Sequence, residues 1–101
     1  MFGHEQFKAY HLAIEFIAQI TQLLLSIPTG YSSLAEQLRR AAISIPLNIA
    51  EGTGKTSAID KKRFYAIARG STFECAAILD VLLALRALNN STVEKPKSLL
   101  H

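Results

Sequence analysis

Apolar residues recur at three- and four-residue spacings along nearly the whole chain, which predicts helices. From residue 5 to about residue 26, Phe7, Tyr10, Ile14, Ile17 and Leu24 form one stripe, and Ala13, Phe16, Ile20, Leu23 and Ile27 a second beside it. Two adjoining stripes suit a helix buried in a bundle. Pro28 and Gly30 stop this helix, and Ser33-Leu34-Ala35-Glu36 has the spacing of a capping box that opens the next. That second helix runs to Gly52. A turn-rich stretch follows, Gly52 to Ser57, and Ser57 is placed to cap a third helix that continues to about Leu88. At about 1.5 Å per residue the third helix is the longest element, roughly 48 Å. Asn89-Asn90-Ser91-Thr92 then breaks the pattern, and Lys97 to His101 reads as the start of another helix.

On a helical wheel the second helix has Leu34, Leu38, Ala41, Ile45 and Ile49 on one face and a polar stripe of Gln37, Arg40, Ser44, Asn48 and Glu51 along its edge, expected to be partly buried. Ile43 and Leu47, four residues apart, point the other way, leaving an apolar face for a partner. Pro46 removes the backbone donor that would reach Ala42, which predicts a kink. In the third helix Phe64, Ile67, Ser71, Cys75, Ile78, Leu82 and Leu85 make the inward stripe. Ala66, Gly70, Ala77 and Ala84 form a small-residue strip, where Gly70 suggests close approach of another backbone. Lys62, Tyr65, Arg69 and Phe73 lie outward, a mix of cations and aromatics suited to stacking on bases or, with Phe73 fully apolar, to a subunit interface. Ile43, Leu47 and Phe73 are therefore the candidate oligomer contacts.

Composition narrows the class without choosing an activity. A chain of 101 residues, half of them apolar, makes one globular domain, residues 1–101. The single cysteine, Cys75, excludes an internal disulfide and a cysteine-based zinc site, and points to a reducing compartment, the cytoplasm. Glu15, Gln19, Thr21 and Gln22 interrupt the one apolar run, so neither a membrane span nor a signal peptide is expected. The net charge of +3 is unevenly placed: between residues 37 and 73, Arg39, Arg40, Lys55, Lys61, Lys62, Arg63 and Arg69 face only Glu51 and Asp60, a local excess of +5. Such a patch attracts phosphate backbone, although clustered charge more often marks a solvated face.

Candidate chemistry is sparse. Glu51 and Glu74 on adjacent helices are the pair from which an enzyme or a metal-binding bundle would be built, but acid-base work or metal ligation needs further groups beside them and the sequence supplies none. His11 and Glu15 are one turn apart without a second such pair to make a di-metal site. The three histidines, His4, His11 and His101, lie toward the chain ends as surface residues. Gly52-Thr53-Gly54-Lys55-Thr56 lacks the spacing and the preceding strand of a phosphate-binding loop. No cofactor and no small-molecule substrate is indicated. Asn48, Glu51, Ser71 and Glu74 are better read as a polar cluster between the second and third helices, with Arg39, Arg40 or Lys55 as charge partners.

Three segments together carry a likeness: Gln37-Leu38-Arg39-Arg40-Ala41, Ser44-Ile45-Pro46-Leu47-Asn48-Ile49-Ala50-Glu51-Gly52, and the run from Phe64 to Glu74. They resemble the small four-helix-bundle proteins related to those encoded in intervening sequences of bacterial 23S rRNA genes, and the likeness covers residues 7 to 90. It implies an all-α, antiparallel, up-and-down four-helix bundle in which Asn48, Glu51, Gly70, Ser71 and Glu74 match the family's signature. It also implies a ring-shaped homopentamer and no defined activity. A more distant likeness, to the accessory variability proteins of diversity-generating retroelements, implies nucleic-acid binding through a basic pentameric barrel. This chain departs from the family where a full fourth helix is expected, so that helix is short or truncated here, or a neighbouring subunit covers the groove. The expectation that follows is a non-enzymatic homo-oligomer, a scaffold associated with RNA or DNA.

Overall fold

In the computed structural model, which describes residues 3–100, the chain forms α1 (His4–Ser26), α2 (Ser32–Thr53), α3 (Ala58–Ala84) and α4 (Asn90–Ser98), with one 3-10 turn at Thr29–Tyr31. The described residues contain no strand, so the fold is the all-α bundle that the periodicity predicts, and its fourth helix is short. His4 and His11 are exposed, as expected, and His101 lies outside the described residues.

The ends of the helices are where structure and expectation part. No capping box forms at Ser33. The Pro28 carbonyl accepts the Tyr31 N–H at 2.9 Å, so the 3-10 turn runs straight into α2, Tyr31 stands at the N-cap and Ser33 is already inside the helix. Glu36 reaches forward instead, accepting from Arg39 Nε at 3.1 Å and Arg40 Nε at 3.0 Å. Hydrogen bonds from these two guanidiniums hold its carboxyl below its ordinary value. At the start of α3 Ser57 Oγ does accept the Asp60 N–H, at 3.1 Å. The far end of α3 comes four residues early, at Ala84 rather than Leu88: Arg86 adopts φ 59° and the Ala87 N–H turns back to the Leu82 carbonyl at 2.9 Å. Helices commonly end through such a left-handed residue, but glycine or asparagine usually marks it, and arginine does not.

The Asn89 to Thr92 stretch is not a break but a helix start. Asn89 Oδ1 accepts the Thr92 N–H at 2.9 Å and the Ser91 and Thr92 hydroxyls, both at 2.7 Å. Side chains that compete with the backbone in mid-helix satisfy its free donors at an N-terminus. α4 therefore begins at Asn90 and ends at Ser98, where a helix beginning at Lys97 was expected. Lys97 pairs with Asp80 and fastens α4 to α3, while Val93 and Pro96 bury its inner face.

α1 contributes Ala13, Phe16, Ile20 and Leu23 to the core, one of its two expected stripes; from the other, Phe7 and Ile14 remain exposed. α2 turns Leu38, Ala41, Ala42, Ile45 and Ile49 inward and continues unbroken through the buried Pro46. In α3 the buried stripe is Ala68, Ser71, Cys75, Ile78, Leu79 and Leu82: Ser71, Cys75, Ile78 and Leu82 are inward as the wheel predicts, Ala68 and Leu79 join them, and Ile67 and Leu85 are exposed rather than inward. Burial, with help from the adjacent Glu74 charge, pushes the Cys75 thiol up to about 12, leaving it neutral and unreactive at ordinary pH. Going back along α2 from Gly52 to Ser44 goes forward along α3 from Tyr65 to Ser71, so the two helices form a hairpin. α1 packs on α2, and α4 enters between α1 and α3, which do not meet directly among the described residues.

The hairpin is tightest at Gly52, not at Gly70. A Cβ on Gly52 would lie 2.7 Å from Tyr65 Cε1 and 3.2 Å from Phe64 Cβ, whereas one on Gly70 would meet nothing within 4 Å. Tyr65 is accordingly not outward: it lies on Gly52, and its hydroxyl shares a hydrogen bond with Thr53 Oγ1 at 3.1 Å. Midway along the hairpin Ser71 Oγ donates to Ser44 Oγ at 2.8 Å, and Asn48 Nδ2 donates to Ser44 Oγ at 2.9 Å and to the Ser44 carbonyl at 2.8 Å. The interhelical polar cluster thus contains Asn48 and Ser71, joined through Ser44. Glu51 and Glu74 stand outside it on exposed surface, and Glu51 pairs with Lys55 at 3.1 Å instead. An exposed carboxylate keeps its hydration, which a buried cluster would strip away.

Two sets of substitutions check this packing by chemical denaturation. Gly70→Ala is expected to stabilise by up to about 1 kcal/mol, the helix-propensity difference, and Gly52→Ala to destabilise because Tyr65 must move; the reverse order would mean that the hairpin closes elsewhere. Ser71→Ala is expected to cost about 1 kcal/mol, one net hydrogen bond. Glu51→Ala and Glu74→Ala are expected to leave the unfolding midpoint unchanged, and a large loss in either would return that carboxylate to the cluster.

Candidate interaction surfaces

Because α4 is short, the space between α1 and α3 is filled at one end only. The remainder is an open trough of about 460 Å³ whose floor includes Phe16, Ile45 and Ile49, with Leu99 and Leu100 entering from the α4 side. Ala9 and Leu12 line it from α1, Ala68 and Phe73 from α3, and its charged groups are Glu5 and Arg69 on opposite walls. Periodicity marks these residues as helical, but the trough follows from which helix stops early, and nothing in the wheel of any one helix shows that.

The outer surface carries the apolar residues singled out as interface candidates. On the back of α2, Ile43 and Leu47 are 37% and 62% exposed, and on α3 Phe73 is 68% exposed. Ile59 and Leu25, which the wheel did not single out, are more exposed still. Ile59 follows the Ser57 cap of α3 and Leu25 lies in the last turn of α1.

The seven basic residues separate into groups. Arg39 and Arg40 are taken up by Glu36, Lys55 by Glu51, and Arg63 stands 3.9 Å from Asp60. Lys61 Nζ donates to the Thr53 carbonyl at 3.1 Å and lies 3.4 Å from that of Gly52, capping the negative end of α2. Lys55 and Arg63 both lie over the Phe64 ring, 5.2 and 4.9 Å from its centre. Lys62 and Arg69 are exposed and form no ion pair among the described residues; seven residues apart, they share one face of α3. Arg40 precedes the end of α2 at Thr53 by roughly 20 Å of helix. The basic surface is therefore the α2–α3 turn with Lys55, Lys61, Lys62 and Arg63, extended by Arg69, while Arg39 and Arg40 belong to another part of the molecule.

Glu51 and Glu74 are not brought together. Measured from the Ser44 and Ser71 contact, they lie in opposite directions, roughly 15 Å apart along the axis, too far to share a proton, a water or a metal. Among the described residues no three His, Cys, Asp or Glu side chains converge on a possible metal position. Nor does any helix there have the length and apolarity to cross a membrane. The Gly52 to Thr56 segment is no phosphate cradle, since Gly52 and Thr53 are still helical and Lys55 is engaged with Glu51.

No curated protein matches the chain. The profile of the 23S rRNA-intervening sequence protein family matches residues 5–101, from the first turn of α1 through the whole of α4. A match of that extent covers every helix described above, and the chain belongs to the 23S rRNA-intervening sequence protein family.

Proposed function

We propose that this protein is a non-catalytic, self-assembling helical bundle, a homopentameric ring, that docks the phosphate backbone of RNA or DNA on its α2–α3 turn. The observation that carries the assembly is the exposure of Ile43, Leu47 and Phe73 on a domain whose trough is itself apolar. Fully burying such a side chain contributes roughly 1.5–3 kcal/mol, and association costs about 4–15 kcal/mol in lost freedom. A single residue cannot offset that cost; several on each partner can. Support for the nucleic-acid side comes from Lys61 and Lys62, two cations of the α2–α3 turn with no carboxylate partner among the described residues, and from a family named for rRNA intervening sequences. A ring repeats that small patch in every subunit, so weak contacts act together.

Sedimentation equilibrium is expected to give a multiple of the chain mass at micromolar concentration, and Phe73→Glu to lower it; a monomeric wild type overturns the assembly. In low-salt gel shifts the wild type is expected to retard RNA or DNA. With about four phosphates neutralised on duplex DNA, the logarithm of the binding constant falls with that of salt at a slope near −3.6. The double variant Lys62→Glu, Arg63→Glu, at the turn and away from the trough, is expected to abolish the shift with the assembly intact. An unchanged shift in that variant, or no shift by the wild type, refutes the nucleic-acid role.

A further inference from the structure

The trough occupies the position of a bundle helix. α2 floors it, α1 and α3 wall it, and α4 already fills the same channel at the other end. An occupant that completes the bundle there is a helix, about 10 Å wide with side chains. The same molecule offers a helical ridge of that kind on the opposite side of its floor. Ile45 points into the trough, and Ile43 and Leu47, two residues before and after it, are turned roughly 160° to its other side and stand exposed.

Resting on the self-assembly proposed above, we infer that the Ile43 and Leu47 ridge of one copy seats in the trough of the next, so that copies join head to tail. Because ridge and trough face opposite ways on one helix, no copy can seat its own ridge in its own trough. Two copies meeting by a two-fold axis, ridge on ridge, would leave both troughs open. A ridge-in-trough contact is heterologous, used once in each direction by every copy, and closes into a ring when its rotation allows.

Charge gives the contact a polarity. In the trough Glu5 lies at the chain-start end of the α1 wall, and Arg69 further in on the α3 wall. The ridge carries Arg40 one turn before Ile43 and Glu51 one turn after Leu47. Seated with Arg40 toward Glu5 and Glu51 toward Arg69, opposite charges face each other; reversed, like charges do. The internal partners of Arg40 and Glu51 are exposed pairs one turn apart, which cost little to rearrange.

The test uses two variants of the full chain, each blocking one half of the contact. Leu47→Glu spoils the ridge and keeps the trough; Ala9→Trp fills the trough from an exposed position and keeps the ridge. Each alone is expected to run at monomer mass where the wild type is assembled, and an equimolar mixture at twice that mass and no more. Either variant assembling like the wild type, or a mixture that stays monomeric, overturns the proposal. Should either variant lose helicity by circular dichroism, Leu47→Cys and Ala9→Cys decide, since the native Cys75 is fully buried. A disulfide dimer joining the two variants on mild oxidation is expected, whereas dimers of Leu47→Cys alone, or no dimer, overturn it. A monomeric wild type sinks the self-assembly as well; an assembled wild type whose two variants still assemble sinks this contact only.

Discussion

Gly52 has no side chain where Tyr65 and Phe64 occupy the space that a Cβ would need, and that contact sets the level at which α3 returns along α2. Once the two helices are in register there, Ser44 meets Ser71 further along, and the polar link midway between them is satisfied. Neither contact is large in free energy. Their effect is on position: a slip of one turn along the hairpin would press Tyr65 on a side chain and take the buried Ser71 hydroxyl from its partner Ser44, and an unsatisfied buried group costs about 1–3 kcal/mol.

The rest of the molecule takes its shape from that hairpin. α1 packs on α2 and does not reach α3, so a channel opens above the α2 floor, and α4 is long enough to occupy only part of it. The α2–α3 turn gathers Lys55, Lys61 and Arg63 at one end of the bundle, held by the C-terminal carbonyls of α2, by Glu51 and Asp60, and by the Phe64 ring. Of the features offered for interaction, the apolar ridge and the basic turn come from the α2–α3 pair, and the apolar channel lies between that pair and α1. In the proposed assembly the ridge and the channel serve each other, and the turn is left to solvent or phosphate.

Much of this was legible in the sequence, because a period of 3.6 survives over 20 residues whatever its surroundings. The three long helices, the Ser57 cap and the exposure of Ile43, Leu47 and Phe73 all follow from it. What could not be read depends on a single position or on a neighbour. One residue is a turn of about 100° on the wheel, and in that turn of α3 Ala68 rather than Ile67 is buried. Ser33 has a capping spacing but loses to Pro28, whose carbonyl starts the helical turn earlier. Arg86 ends α3 in a conformation that its residue type does not announce. Glu51 and Glu74 border a buried face, where sequence cannot tell a paired carboxylate from a solvated one. Ser44 rather than either acid turned out to be the partner of Ser71, because only the register of two helices brings them together.

The central claim is that the bundle is completed by a second chain covering the channel between α1 and α3. Hydrogen exchange followed over a series of protein concentrations tests it at the residues concerned. Amides of residues 5–16 on α1 and 43–47 on α2 are predicted to exchange more slowly as concentration rises, while those of the buried residues Cys75, Ile78 and Leu79 on α3 stay equally protected throughout. Exchange that is independent of concentration along α1 and α2 would mean that the channel stays open to water and that the chain is complete as a monomer.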